Sequence, residues 1–326
     1  MSRQTKPTVT TVSRQQRKKE EELSQPAPQA AHPERFLGEK KSSSAARRKT
    51  KPITRVFQLV VAILATLFAV YPVWFVILAS GRGSGRLLTF NLAGMFIPLE
   101  WTFENYQIML FQEPLLTWMR NSLMVAGLTT IACLCIATSA AFAFSRMRFY
   151  GREWGLVLFL AIQSFPGVLS LVPVAQLLTA IGGYGKLWGL IMDYTSGTLI
   201  FCTMNLKGYF DTIPIDLEEA AMIDGCGPVQ SFLLIALPLA RPALAVTALF
   251  AFMVGWGEYV LASVLIPAPP TRLTAMVGLY KMANDINIPW GHFAAGAVMI
   301  IIPTLLVFLY LQRYLEGGLT LGGVKG

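Results

Sequence analysis

Four long stretches of the chain carry no aspartate, glutamate, lysine or arginine. They lie between Arg55 and Arg82, Arg120 and Arg146, Glu153 and Lys186, and Asp285 and Arg313. Each exceeds the ~20 apolar residues a helix needs to cross ~30 Å of hydrocarbon. A helix on a water-soluble core would show a polar stripe at a 3.6-residue period. These stretches show none, so they predict lipid-spanning helices. With two less uniform segments they predict about six spans, near 56–80, 121–144, 154–181, 187–206, 242–266 and 293–314. Pro72, Pro166, Pro173 and Pro303 fall inside spans and predict kinks or interruptions. Gly182-Gly183-Tyr184-Gly185 predicts a tight turn. The expected fold class is an all-α membrane protein.

Composition agrees. Only 14% of residues are charged and 54% are hydrophobic, against roughly a quarter charged in average soluble domains. The net charge of +9 comes from one place. Up to Arg55 the chain holds 14 lysines and arginines against five glutamates, and the rest is near neutral. That pattern is a basic tail before a first span, not a nucleic-acid surface. It predicts a cytoplasmic N-terminus and weak attraction to anionic lipid. An even number of spans puts the C-terminus and the 207–241 loop on the same side. The tail has no apolar core segment of the cleaved-signal kind, and its Gln, Ser, Pro, Lys and Glu content predicts disorder. The expected organisation is a tail (1–54), a first span with an external loop (55–116), a core of spans with a loop at 207–241 (117–314), and a C-terminal tail (315–326).

Cys133, Cys135, Cys202 and Cys226 form no CxxC pair and are expected to stay free as small packing residues. The spans carry no His/Glu metal set and no Ser-His-Asp set, and the chain has no Gly-x-x-x-x-Gly-Lys-Ser/Thr phosphate loop. No catalytic residue, metal or cofactor is expected, and the chain is not expected to be an enzyme.

The most informative segment is polar and runs from Asp211 to Gly225. Asp216 followed three residues later by Glu219 predicts a capping box with Asp216 as the cap. Leu217, Ala220, Ala221 and Asp224 then share one helical face, which the two alanines make flat enough for another protein to approach. Gly225 fits a C′ position with positive φ. Pro228 fits the first turn of a second helix, expected to end before Pro238. Glu219-Ala220-Ala221, three residues, Gly225, nine residues, Ile235, one residue, Leu237-Pro238 resembles the EAA motif of permease subunits of binding-protein-dependent ABC importers. The match holds in residue type and spacing. Asn121-Ser122-Leu123, Ala141-Phe142-Ala143-Phe144-Ser145-Arg146 and Lys207-Gly208-Tyr209-Phe210 resemble further signposts of that family. Trp290 to Ala295 and the C-terminal Gly322, Gly323, Val324, Lys325 and Gly326 are similar to the maltose/maltodextrin branch. The long basic tail and His292 depart from the family pattern.

The resemblance implies a type I ABC importer permease fold in a bacterial-type inner membrane. It implies a second permease subunit, two ATP-hydrolysing subunits and an external sugar-binding protein as partners. Glu219, Ala220, Ala221, Gly225, Ile235 and Pro238 would form the joint to the ATPase, with Glu219 as its charged contact. The tail from Gly322 to Gly326 would reach toward the ATPase. Maltose or maltodextrin is the cargo this branch implies, with trehalose, another oligosaccharide or a polyol as alternatives. A secondary transporter is the rival class, but no clear set of midplane carboxylates supports it.

Several intramembrane residues have two readings. Glu258 is a functional candidate by default, yet it sits ~24 Å up its helix from Pro242 at ~1.5 Å per residue, where it can be solvated or paired. Asp193 is similar. Trp256 and Tyr259 could stack on a sugar ring or anchor the span at an interface. Gln163, Ser164, Gln176 and Asn205 could line a sugar path or bond between helices.

Overall fold

A computed structural model describes residues 52–83, 92–98, 101–267, 269–283 and 290–321. Most of the basic tail and the segment from Gly322 to Gly326 lie outside the described residues. The chain divides into two units, 1–63 and 64–326. The described part of the first is the start of helix α1 (Pro52–Ser80), whose side chains are exposed from Arg55 to Val70.

Among the described residues all regular structure is helical. The bundle is built on α4 (Leu115–Arg146), which packs most extensively on α7 (Leu187–Phe210). Helix α10 (Arg241–Gly257) lies against both, and α13 (Trp290–Leu321) packs on α10. At 32 residues α4 is ~48 Å long. It outruns the ~30 Å of hydrocarbon, so its Arg146 end reaches beyond the apolar layer. Small residues let these helices approach closely. A Cβ on Gly255 of α10 would lie 2.8 Å from the Ala126 Cα of α4. Asn205 of α7 donates to Thr247 Oγ1 of α10 at 2.8 Å, a bond between helices.

Two apolar clusters fill the bundle. One holds Trp118, Val125, Tyr194, Phe252 and Trp256. The other holds Cys133, Ala137, Ala141, Cys202, Phe210 and Ala240, at the end that carries the 211–241 loop. Cys133 and Cys202 are buried, and all four cysteines are free thiols.

The third expected span is broken at Pro166, as its proline predicted, into α5 (Arg152–Gln163) and a second arm, a short 3₁₀ turn at Gly167–Ser170 leading into α6 (Leu171–Ala180), whose Pro173 does not interrupt it. The two arms are bent by 89°. Proline has no N–H to continue the ladder and clashes with the preceding turn. The fifth stops at Gly257 and resumes as α11 (Val260–Leu265). The sixth runs on through residues 315–321, which were expected to be tail. Among the described residues, three helices are by length and composition able to cross a membrane, or five if each bent pair counts as one span. Helix α7, the fourth expected span, is not among them, although it is 24 residues long. Its Asp, Gly, Thr, Ser and Asn residues lower its hydropathy, and it packs on α4 and α10.

Polar residues stitch the opposite end. Buried Asn121 donates to the carbonyls of Thr271 and Leu273 at 2.9 and 3.0 Å. Ser122 Oγ accepts from Ala275 N at 2.8 Å, and Trp118 Nε1 donates to Pro270 O at 2.9 Å. They pin the segment leading to α12 (Ala275–Ala283) onto the start of α4. Tyr106 and Asn105 of α3 (Glu104–Phe111) hold the end of α1 through Ser80, where the sequence suggested only a polar loop.

Candidate functional site

The loop after α7 opens with a polar knot. Ser145 Oγ donates to Asp211 Oδ1 at 2.6 Å, and Lys207 Nζ donates to Asp211 Oδ2 at 2.7 Å. Burial pushes the Asp211 carboxyl up. The hydrogen bonds from Lys207 and Ser145 and the Lys207 and Arg146 charges outweigh this and hold it below its ordinary value. Arg146, the last residue of α4, turns into the loop. Its Nε donates to Glu218 Oε1 at 2.8 Å and its Nη2 to Ile213 O at 2.9 Å.

Helix α8 (Asp216–Ile223) follows. Its acidic first turn suits the positive end of the helix dipole. The expected capping box does not form. Ile215 occupies the cap position, Asp216 is already helical, and no side chain caps the start. The expected flat face is also split. Ala221 is buried beside Glu218, whereas Ala220 is exposed with Leu217 and Glu219. Glu218 and Ala221 are three apart and share the inward face, and the Arg146 guanidinium holds that face down. Met222 and Ile223 end the helix in the open, Ile223 at 87% exposure. Gly225 then takes φ +95, the C′ conformation its position predicted.

The second helix of the loop, α9 (Pro228–Leu239), begins at Pro228 as expected. Gln230 Oε1 accepts from Gly227 N at 3.0 Å. It does not end before Pro238. Residues Phe232–Ala236 widen into a π turn, and the Leu237 N–H reaches back to Phe232 O. That wider turn carries the chain into a proline that cannot donate. Ile235 and Pro238 are half-buried in this stretch. Phe232 anchors α9, with its ring 4.6 Å from Phe142 and 6.5 Å from Phe210. Helices α9 and α10 then meet at 77°.

Elsewhere, Glu258 fills the break between α10 and α11. Its Oε1 accepts from Leu261 N at 2.8 Å, and its Oε2 from Ala262 N at 2.9 Å and from Tyr194 Oη at 2.6 Å. It is paired and caps α11. Trp256 is buried and stacked on Phe252, with centroids 5.6 Å apart. Tyr259 packs on Tyr280, with ring centroids 4.2 Å apart. Of these three candidates, Glu258 lines a cavity of about 470 Å³ with Asp193 and Gln163. Gln176 lines a separate one. Sequence reasoning missed Arg146 and Glu218 as partners. The available signal was Glu218 three residues before Ala221, which marks an inward stripe.

The chain belongs to the family of binding-protein-dependent transport system inner membrane components, whose model matches residues 134–320. It is 42% identical over 219 residues to the maltose/maltodextrin transport system permease protein MalG of Vibrio vulnificus (strain YJ016), covering 65% of this chain and 73% of that protein. It is 36% identical over 272 residues to the galactooligosaccharides transport system permease protein GanQ of Bacillus subtilis (strain 168), covering 82% and 94%. Its fold matches a chain of a bacterial ABC transporter that imports the acidic polysaccharide alginate, with a TM-score of 0.71, 23% identity, and coverage of 81% and 98%.

Proposed function

We propose that this chain is a non-enzymatic permease subunit of an ATP-driven oligosaccharide importer, with maltose or a maltodextrin as cargo. One observation carries the coupling role. Helix α8 is fixed to the bundle on one side by Arg146–Glu218 and presents Leu217, Glu219, Ala220, Met222 and Ile223 on the other. An apolar helix tip held rigidly outside the spans calls for a protein partner. In this reading the partner is an ATP-hydrolysing subunit, with Glu219 as the charged contact and Gly225 as the turn. Ala221, Ile235 and Pro238 act from behind, by packing. The segment from Gly322 to Gly326, outside the described residues, would contact the same partner. Closure of two such subunits moves α8, and rigid-body rotation of the bundles alternates access. A second permease chain and an external sugar-binding protein complete the assembly. Both termini lie in the cytoplasm, on the side of the basic tail.

The cargo reading leans on MalG, and the similarity to GanQ keeps galactooligosaccharides as the second reading. The test is co-purification of the tagged chain with its cognate ATPase, followed by ATP-dependent uptake of maltose, maltotriose and galactobiose in proteoliposomes. Wild type should carry the ATPase at fixed stoichiometry and take up the maltose series. Glu219→Ala and Ile223→Asp should lose ATPase capture or coupled uptake. Equal behaviour of all three chains, with no ATPase bound, would sink the reading. Uptake of galactobiose alone would move the cargo to the second reading.

A further inference from the structure

The break in the third span does more than bend it. Where α5 gives way to the 3₁₀ turn at Gly167–Ser170, two cavities meet and share Gln163, Gly167, Ser170 and Gly197 as walls. The smaller one, of about 470 Å³, runs along α7 from Asp193 to Phe201 and is walled on its other side by Phe250 and Val254 of α10. That is eight residues, or ~12 Å of helix. Its two ends differ in chemistry. At one end stand Asp193, Gln163 and Glu258. At the other, Phe201 and Phe250 meet edge to face at 5.4 Å and are each roughly 40% exposed, at 38% and 45%.

Asp193 is the telling residue. Its Oδ2 is buried and has no hydrogen-bond partner among the described residues. A buried oxygen in that state is costly and calls for an explanation. Glu258, close by, is already committed: both its oxygens accept hydrogen bonds, from Tyr194 and two backbone amides. So one carboxylate is structural and its neighbour is available. A hard metal ion would need six or more oxygens; beyond the carboxylates and Gln163 the walls add only the Ser170, Tyr194 and Thr198 hydroxyls, each already donating within the bundle, among Gly, Phe, Val and Leu. A neutral polyhydroxylated ring fits better. Its hydroxyls donate to Asp193, the Gln163 amide can both donate and accept, and its C–H face lies against the electron-rich ring faces of the Phe pair. Mostly apolar walls with a few placed polar groups are the usual make-up of a small-molecule site.

We propose that this cavity is one wall of the sugar path, with Asp193 and Gln163 as hydrogen-bonding contacts and Phe201–Phe250 as the stacking surface. The inference rests on the importer reading above and deepens it, since it gives this subunit a direct hand in cargo binding. The probe is maltotriose, with uptake measured by the full reconstituted assembly for wild type, Asp193→Asn and Gln163→Ala. Asp193→Asn replaces a charged acceptor by a neutral one of the same shape, and should raise the KM for uptake about tenfold, the scale of a lost charge-assisted hydrogen bond. Gln163→Ala should raise it severalfold. KM does not depend on how much complex assembles, so a folding loss cannot imitate the result. Normal wild-type uptake with KM within twofold of wild type in both variants overturns this inference and leaves the importer standing. No ATP-dependent sugar uptake by wild type overturns both.

Discussion

Arg146 and Glu218 lie 72 positions apart in the chain and meet at 2.8 Å, with their side chains 11% and 6% exposed. The pair ties the end of α4, a 32-residue helix, to the first short helix of the loop. A second bond from the same guanidinium, to Ile213 O, fixes the approach to that helix. Any push on α8 is therefore delivered to α4 through a charged, hydrogen-bonded joint.

Removing one partner of such a pair leaves a buried charge alone, which costs about 3 kcal/mol or more. Glu218→Ala should lower the melting temperature of the purified assembly and expose the 211–225 segment to protease. Replacing both partners, Arg146→Met with Glu218→Leu, should restore much of the stability but not the coupling of ATP hydrolysis to uptake. Thermal melting, limited proteolysis and uptake on the same three proteins check this.

Asp211 gives a prediction in pH. Its folded pKa lies below the unfolded value of ~3.9. Its contribution is thus complete above that value and is lost as pH falls through the folded pKa. The carboxylate is 42% exposed, so the contribution is screened to under ~1 kcal/mol. Asp211→Asn should melt slightly below wild type at pH 7, with the gap narrowing as pH falls below ~3.9 through the lowered folded pKa, and shrinking in high salt. A gap that is constant with pH would show that the Ser145 and Lys207 bonds do not depend on the charge.

Glu258 is predicted to hold the break in the fifth span. Glu258→Ala removes the acceptor for two amides of α11 and for Tyr194, a loss of ~1–2 kcal/mol on the scale of helix caps. Tyr194→Phe should cost about 1 kcal/mol. Because the two residues share a bond, the double variant should cost less than the sum. Melting of the four proteins in a double-mutant cycle measures the difference.

Gly255 sets the spacing of α4 and α10. A methyl there would sit 2.8 Å from the Ala126 Cα, which is backbone and cannot swing aside. Gly255→Ala should destabilise by ~1–3 kcal/mol, read as lower yield of intact assembly and a lower melting temperature. A substitution at Gly197, which has open space at the Cβ position, should leave both unchanged.

Much of the fold was legible because lipid imposes a one-dimensional rule. A segment that crosses it must be long, apolar and helical, and that rule can be read along the chain. The positions of α1, α4 and α13 follow from it, and so does the kink site at Pro166, since proline acts locally. Gly225 was legible for the same reason. A positive φ is a property of one residue, and the helix that ends there announces it.

Other features needed the third dimension. The sequence offers Glu218 and Glu219 as neighbours of one chemistry. Only the packing of α8 against Arg146 decides that Glu218 faces inward and Glu219 outward, because helical phase is set by what lies beneath it. Asp216 looked like a cap, but the helix begins one residue earlier than a cap would require. Asp193 and Glu258 are 65 positions apart, and their different states depend on which of them finds the free amides of α11. Sequence by itself determined that this chain spans a membrane and carries the EAA pattern in one loop. Tertiary structure decided which face of that motif is free and which carboxylate in the bundle is unpaired, because burial and hydrogen bonding are properties of neighbours brought together by folding.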